Sequence, residues 1–294
     1  MNDPFNSAGR FTIISQAAQG RRAYNFWERS CAPTNLTETP LLDARLRDML
    51  ESDLPAIMQA PFQCKEKTSA AQLDCAARLV RYASEIPVYR EKYRRAGIAP
   101  GGINSWEEFR KLPLMTKPEL QAAYPEGCVH SSVKRDTCFQ TRSSGSSGVS
   151  LRIMVDLEAI ATDTLQGVRQ YSLQTGLQYR SSDAVANIYT VPWWTNAIGG
   201  CYINHFISSL ISPAATVDIL NELQPEIISL YPSNLDALMP HRKRWTRDRL
   251  SLIVTHSEQS TRDTRRGWAE LLATPVLDEY EPRERALGRP THSR

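Results

Sequence analysis

Ile227-Ile228-Ser229-Leu230-Tyr231-Pro232-Ser233 is a short apolar run that stops at a proline. It is too brief for a helix and closes on a turn signal. It therefore predicts a buried strand over Ile227–Leu230, with a helix following over Asn234–Met239. The same alternation extends outward on both sides. Downstream, Leu250–Thr255 predicts a strand, Arg262–Leu272 a helix and Pro275–Tyr280 another strand. Upstream, Leu151–Val155 predicts a strand, Ala159–Thr175 a helix and Ala184–Tyr189 a strand. A buried helix is expected within Trp194–Leu210, and Thr216 is expected to cap the next one, with Asp218 as a favourable first-turn charge. Strands alternating with helices in this way predict an α/β fold with a mainly parallel sheet.

The region before Thr141 has a different character. Apolar residues recur at roughly helical spacing over Leu41–Leu54. The pattern is cleaner in Ala70–Glu85, where Leu73, Ala76, Ala77, Val80 and Ala83 share a face. Ser105 with Glu108 and Thr116 with Glu119 each fit the S/T-x-x-E capping box. This half is expected to be chiefly helical up to Ala123. The first thirty-five or so residues show no sustained period and are expected to form an extension or a loosely packed arm.

Composition narrows the function classes. The chain has 294 residues, 41% hydrophobic and 23% charged, which excludes a collagen, a low-complexity filament and wholesale disorder. A net charge of +3 gives no electrostatic case for nucleic acid or an anionic membrane surface. Ala184–Val217 contains no Asp, Glu, Lys or Arg, yet Pro192, Pro213, several asparagines and Gly199-Gly200 interrupt it. A buried layer of the fold is expected there rather than a membrane span. The six cysteines are scattered without a C-x-x-C pair, so neither a disulfide framework nor a zinc site is indicated. With no basic-then-apolar start either, a cytoplasmic protein with reduced thiols is expected.

The chemistry-bearing segment is Thr141-Arg142-Ser143-Ser144-Gly145-Ser146-Ser147-Gly148-Val149-Ser150. Glycines let a backbone approach a ligand closely, and successive N–H and hydroxyl groups can wrap phosphate oxygens. Ser/Gly tracts also serve as flexible linkers, and this one lacks the Gly-Lys-Ser/Thr close of a Walker loop. The tract resembles the phosphate loop of adenylate-forming enzymes, the acyl-CoA synthetase superfamily. Ile86-Pro87-Val88-Tyr89-Arg90 and Leu112-Pro113-Leu114-Met115-Thr116-Lys117 resemble the entry segment of its phenylacetate–CoA ligase branch, which includes capsule-biosynthesis relatives. Leu230-Tyr231-Pro232-Ser233, Ile253-Val254-Thr255-His256-Ser257-Glu258 and Val276-Leu277-Asp278-Glu279-Tyr280 follow in that family's order. The similarity runs from about Ala70 to Glu284.

The resemblance implies the large N-terminal domain of an adenylate-forming enzyme, with a helical entry region and mainly parallel sheets. It also implies a two-step reaction. A small carboxylate, aryl acids among them, attacks the α-phosphate of ATP with Mg²⁺ present, and coenzyme A then captures the acyl group. Ser143, Ser144, Gly145, Ser146, Ser147 and Gly148 would hold phosphates. Ser257 and Glu258 would lie against adenine, and Asp278, Glu279 and Tyr280 would form the strand end beside the nucleotide. Glu284 falls at the family's metal-ligand spacing. Trp193, Trp194, Gly199, Gly200 and His256 would line or adjoin the substrate pocket, although core packing explains either tryptophan equally well. His205 is expected to be a core histidine, and His241-Arg242-Lys243-Arg244 a solvated basic face.

The departures from the family pattern are as informative. Val149 and Ser150 stand where the family has Lys and Pro, and Glu281-Pro282 where it has a glycine turn. The ribose-binding aspartate and the C-terminal lid with its catalytic lysine are not found, so no catalytic residue is assigned. The expectation is a truncated chain: an extension over 1–40, a partial adenylate-forming domain over 41–284 and a divergent basic tail over 285–294. Three functions compete on this basis, the third being a different nucleotide-handling α/β enzyme that uses the serine loop independently. One is an acid–thiol ligase of the phenylacetate–CoA ligase type, represented mainly by its large N-terminal domain, whose activity a separate chain carrying the lid would revive. The second is a catalytically inactive nucleotide- or acyl-binding remnant or interaction module.

Overall fold

A computed structural model describes residues 11–16, 22–26, 40–99, 101–142, 151–192, 197–198 and 200–279. In chain order the elements are β1 (Phe11–Gln16), β2 (Arg22–Phe26), α1 (Pro40–Ser52), α2 (Leu54–Gln59), α3 (Lys65–Ser84), α4 (Pro87–Arg95), α5 (Trp106–Arg110), α6 (Lys117–Ala123), β3 (Phe139–Arg142) and β4 (Arg152–Val155). They continue as α7 (Leu157–Gln174), β5 (Ala184–Tyr189), β6 (Ile203–Ser208), α8 (Pro213–Leu223), β7 (Ile227–Leu230), α9 (Pro232–Leu238), β8 (Leu252–His256), α10 (Arg262–Leu272) and β9 (Val276–Glu279). The chain divides into two compact units. One comprises the described residues up to Leu54 and from Thr164 onward; the other spans Pro55–Asp163.

The first unit is built on a seven-stranded sheet in the order β1-β2-β6-β5-β7-β8-β9. Only β1 runs antiparallel; the other six strands are parallel to their neighbours. This is the expected α/β architecture with a mainly parallel sheet. Its strands read as continuous apolar runs because both faces are buried. On one face Ile188, Ile207, Leu230 and Ile253 pack with Val217 and Leu220 of α8, Leu235 and Leu238 of α9, and Trp268 and Leu272 of α10. On the other, Val185 and Val254 are fully buried.

Three local readings are corrected. Within Trp194–Leu210 the described element is the strand β6, not a helix: Ile203–Ser208 pairs along its whole length with β5. The segment expected to be a loose arm supplies two strands, with Ala23 and Phe26 fully buried and Phe26 opposite Ile207. Helix α8 starts one turn before Thr216, at the N-cap Ser212, whose hydroxyl accepts from Ala215 N–H at 3.4 Å. Pro213 then occupies N1, where a missing N–H costs nothing.

The second unit is chiefly helical, as its periodicity predicts. Val80, Tyr93 and Ile103 form its small core, with Leu73, Ala76, Ala77 and Ala83 packed against it. Glu119 reaches back to Thr116 N–H at 2.8 Å, and its carboxylate also accepts from Lys92 Nζ, tying α6 to α4. Ser105 caps α5 by accepting from Glu108 N–H at 3.1 Å. The reciprocal half of that box slips by one residue, because Glu108 accepts from Asn104 N–H instead. Strands β3 and β4 pair as an antiparallel hairpin, with Arg142 opposite Arg152. The Ser143–Ser150 tract therefore connects two paired strands, and its own residues lie outside the described set.

Candidate functional site at the carboxyl ends of the strands

Strand order decides where a site can form. From β5 the chain goes to β6 on one side, whereas β7, on the other side of β5, leads onward to β8 and β9. Beyond the carboxyl ends of β5 and β7 the connections thus leave in opposite directions, opening the crevice in which such sheets bind ligands. Tyr189 is the last residue of β5 and Tyr231 the first after β7. Their rings stack at that crevice with centroids 4.9 Å apart and planes 29° from parallel. His256, the last residue of β8, completes the cluster at 5.3 Å from Tyr189 and 5.4 Å from Tyr231. The Thr190 hydroxyl lies 3.3 Å from the Tyr231 phenol. All three rings are half-buried, so the cluster is both anchored and accessible.

The turn after β8 is tightly held. Ser257 has φ +65°, a left-handed conformation that costs a residue with a Cβ. Glu258 N–H donates to the His256 carbonyl at 2.8 Å across this turn, and the Ser257 hydroxyl is 3.0 Å from His256 Nδ1. The Glu258 carboxylate does not project freely. It accepts from the N–H and the hydroxyl of Ser233 in the first turn of α9, each at 2.9 Å. Next along the edge, Asp278 is engaged by Arg265 at 3.3 Å and by the Thr255 hydroxyl at 3.4 Å. Glu279 stands opposite His256 in the β8–β9 register.

Of the residues singled out from the sequence, His256, Ser257, Glu258, Asp278 and Glu279 are thus brought together at one edge. Gly200 is not. It has φ +80° in the turn between Ile198 and Cys201, which exchange two backbone hydrogen bonds, and this turn leads into the amino end of β6. Ser143, Ser144, Gly145, Ser146, Ser147, Gly148, Trp193, Trp194, Gly199, Tyr280 and Glu284 lie outside the described residues. Among the described residues no group of three His, Cys, Asp or Glu side chains could hold a metal ion. No helix among them is long and apolar enough to cross a membrane. His205 is a core residue, as expected: it is 3% exposed and its Nδ1 accepts from Tyr24 N–H at 3.3 Å.

Tyr189, Tyr231 and Ser233 were not given site roles from sequence. A usable signal was present, since both tyrosines close buried runs at the carboxyl ends of predicted parallel strands, one of them directly before a proline. A cavity of about 330 Å³ also opens at this edge, on the helix-covered side of the sheet. It lies between Ile188, Ser209, Ser212, Thr216, Asn234 and Leu238.

The first unit is thus an α/β fold with a polar-aromatic cluster at the switch point of its mainly parallel sheet. No protein-family model matches the chain. Phenylacetate-coenzyme A ligase of Pseudomonas putida is 24% identical over 205 residues, covering 66% of this chain and 46% of the relative. A crystal structure of 2-hydroxyisobutyryl-CoA ligase in an open conformation, in complex with 2-HIB-AMP and CoA, matches with a TM-score of 0.60 at 20% identity. That match covers 73% of this chain and 53% of that one. The same ligase in its thioesterification state gives 0.59 at 20% identity, over 74% and 49%. This chain spans about half the length of the proteins it matches. The chain is thus similar to acyl-CoA ligases in sequence over 205 residues and in the fold of the part that matches.

Proposed function

We propose that the carboxyl edge of the large sheet binds the adenylate of an activated carboxylate, and that the chain serves ATP-dependent acyl activation. The observation that carries this reading is the Tyr189–Tyr231–His256 cluster at the switch point between β5 and β7. Flat, half-buried rings beside a turn rich in polar backbone suit a purine, which needs a stacking surface and in-plane hydrogen bonds. The described residues therefore fit the base end of the nucleotide. Ser143–Gly148 and Glu284 are the residues we assign to the phosphates and to Mg²⁺.

The chemistry itself is charge management. A carboxylate oxygen attacks the α-phosphate, the acyl–O–P bond forms and pyrophosphate leaves. A thiol, coenzyme A in the full proposal, then displaces AMP. Such steps depend on in-line placement and on neutralising developing charge. For the acyl group we propose a small carboxylate, with an aryl acid suited to the aromatic residues at this edge. The cavity beside Asn234 is of the size that holds small ligands.

The test is calorimetric titration of the whole chain with AMP and with acyl-sulfamoyl-adenosines, which mimic the adenylate without reacting. The expected result is binding of the acyl analogue that weakens by about 5- to 150-fold in Tyr231→Ala, the equivalent of a base stack worth about 1–3 kcal/mol. Absence of binding by the unsubstituted chain would sink the reading. Pyrophosphate exchange with a panel of small acids then identifies the acyl group.

A further inference from the structure

Glu258 stands where sequence alone suggested a residue lying against the base, yet its carboxylate is already occupied. Ser233 N–H donates to Oε2 and the Ser233 hydroxyl donates to Oε1, both at 2.9 Å. The reason lies in α9. Its N-cap, Tyr231, makes no side-chain cap bond, and Pro232 at N1 has no N–H to offer. The first orphan donor of the helix is therefore Ser233 N–H, and a carboxylate from the neighbouring strand end satisfies it.

The consequence is a closed circuit. From Tyr231 the backbone runs through Pro232 to Ser233, and hydrogen bonds cross from Ser233 to Glu258. The backbone returns through Ser257 to His256, whose ring packs back on Tyr231 at 5.4 Å. The left-handed Ser257 lies within this circuit. A turn in a costly conformation persists only where its surroundings hold it, and Glu258 supplies part of that hold through Ser233.

We propose that Glu258 is a positioning residue. It locks the carboxyl ends of β7 and β8 together through Ser233, and so fixes the His256 ring against Tyr231. It acts on the ligand through these rings rather than by touching it. As a description of the ring cluster this stands on geometry alone; its effect on ligand affinity rests on the nucleotide-binding reading above.

The experiment compares Glu258→Ala, Glu258→Gln and Ser233→Ala in the whole chain. Gln keeps an acceptor for Ser233 N–H and can donate to the serine oxygen, so it should preserve the circuit; Ala opens it. The first readout needs no ligand. With ring-labelled histidine, the His256 ring protons should be displaced by the neighbouring Tyr189 and Tyr231 rings. In Glu258→Ala they should move toward solvent-exposed values, and Glu258→Gln should restore them. An unmoved His256 signal in Glu258→Ala would overturn the proposal.

The second readout is affinity for the acyl-sulfamoyl-adenosine. Glu258→Ala should raise Kd about tenfold, the scale of one charged hydrogen bond, with Glu258→Gln close to the unsubstituted chain. Equal losses in the Ala and Gln variants would mean that the charge itself meets the ligand, which contradicts the proposal. If the unsubstituted chain binds no adenosine analogue, the nucleotide reading fails while the histidine spectrum still decides the circuit. Should Glu258→Ala not fold, Ser233→Ala removes only the hydroxyl bond and should shift the His256 signal part of the way; no shift overturns the proposal.

Discussion

Asn25 gives the sharpest test of how the amino-terminal residues join the sheet. It lies on β2 opposite Phe206 of β6, is fully buried, and neither its Oδ1 nor its Nδ2 has a hydrogen-bond partner. A buried amide without partners costs about 1–3 kcal/mol relative to one that is satisfied. Asn25→Val removes both unmet atoms and places a β-branched side chain in a strand, so it should stabilise the first unit by about that amount. For a unit of this size each kcal/mol shifts the midpoint by roughly 2–4 °C. Asn25→Asp should act in the opposite direction. It buries a carboxylate where the amide already lacks hydrogen-bond partners, and the penalty should shrink as pH falls and the group protonates. Scanning calorimetry of the three proteins gives the midpoints, and hydrogen exchange over residues 22–26 reports whether β2 is protected. Two silent substitutions with rapid exchange across Arg22–Phe26 would refute the burial argument and, with it, the membership of β2 in the sheet.

The remaining predictions concern the two cores. Lys92, with the Thr116 hydroxyl and N–H, holds the Glu119 carboxyl down at about 2 against an ordinary 4.5. A depressed carboxyl pKa stabilises the fold above the unfolded value, and the benefit is lost as pH falls through the folded one. The helical unit should therefore lose stability between about pH 4.5 and 2. Glu119→Gln should melt lower than the unsubstituted chain at neutral pH and change less across that acid range, as followed by circular dichroism. In the first unit, Leu220 of α8 is fully buried among the strands and α9. Leu220→Ala should cost about 2–5 kcal/mol in urea unfolding with little change in slope, and a cost below about 1 kcal/mol would contradict the packing described.

The parts of this fold that were legible in the sequence share a physical feature. Ala184–Tyr189, Ile227–Leu230 and Arg262–Leu272 coincide with β5, β7 and α10 because each carries its own local signal: an apolar run closed by a turn, or a capped amphipathic period. Strand β6 misled because its local signal is absent. Ile203–Ser208 is buried on both faces within a long uncharged stretch, so it lacks the alternation that distinguishes a half-exposed strand from a buried helix. Strands β1 and β2 were hidden for a different reason. Their stability comes from pairing with one another and with β6, a partner distant in sequence, and no local pattern records that. The start of α8 was within reach, since Ser212-Pro213 is a stronger N-terminal signal than Thr216.

The candidate site divides along the same line. Motif order carried His256, Ser257 and Glu258 to one edge, because a motif is local by nature. The ring cluster is not local. Tyr189, Tyr231 and His256 meet only because β7 inserts between β5 and β8, which sets three strand ends side by side. Topology also reassigns chemistry within the motif. The Glu258 carboxylate, adjacent in sequence to the proposed base-binding turn, is drawn to Ser233 by the unmet donor that Pro232 leaves at the start of α9. A residue inside a ligand-binding motif can thus act on its own scaffold, and the nearest unsatisfied backbone group decides which. On the function proposed above, the ligand-facing role at this edge falls to the rings, and Glu258 keeps them in register.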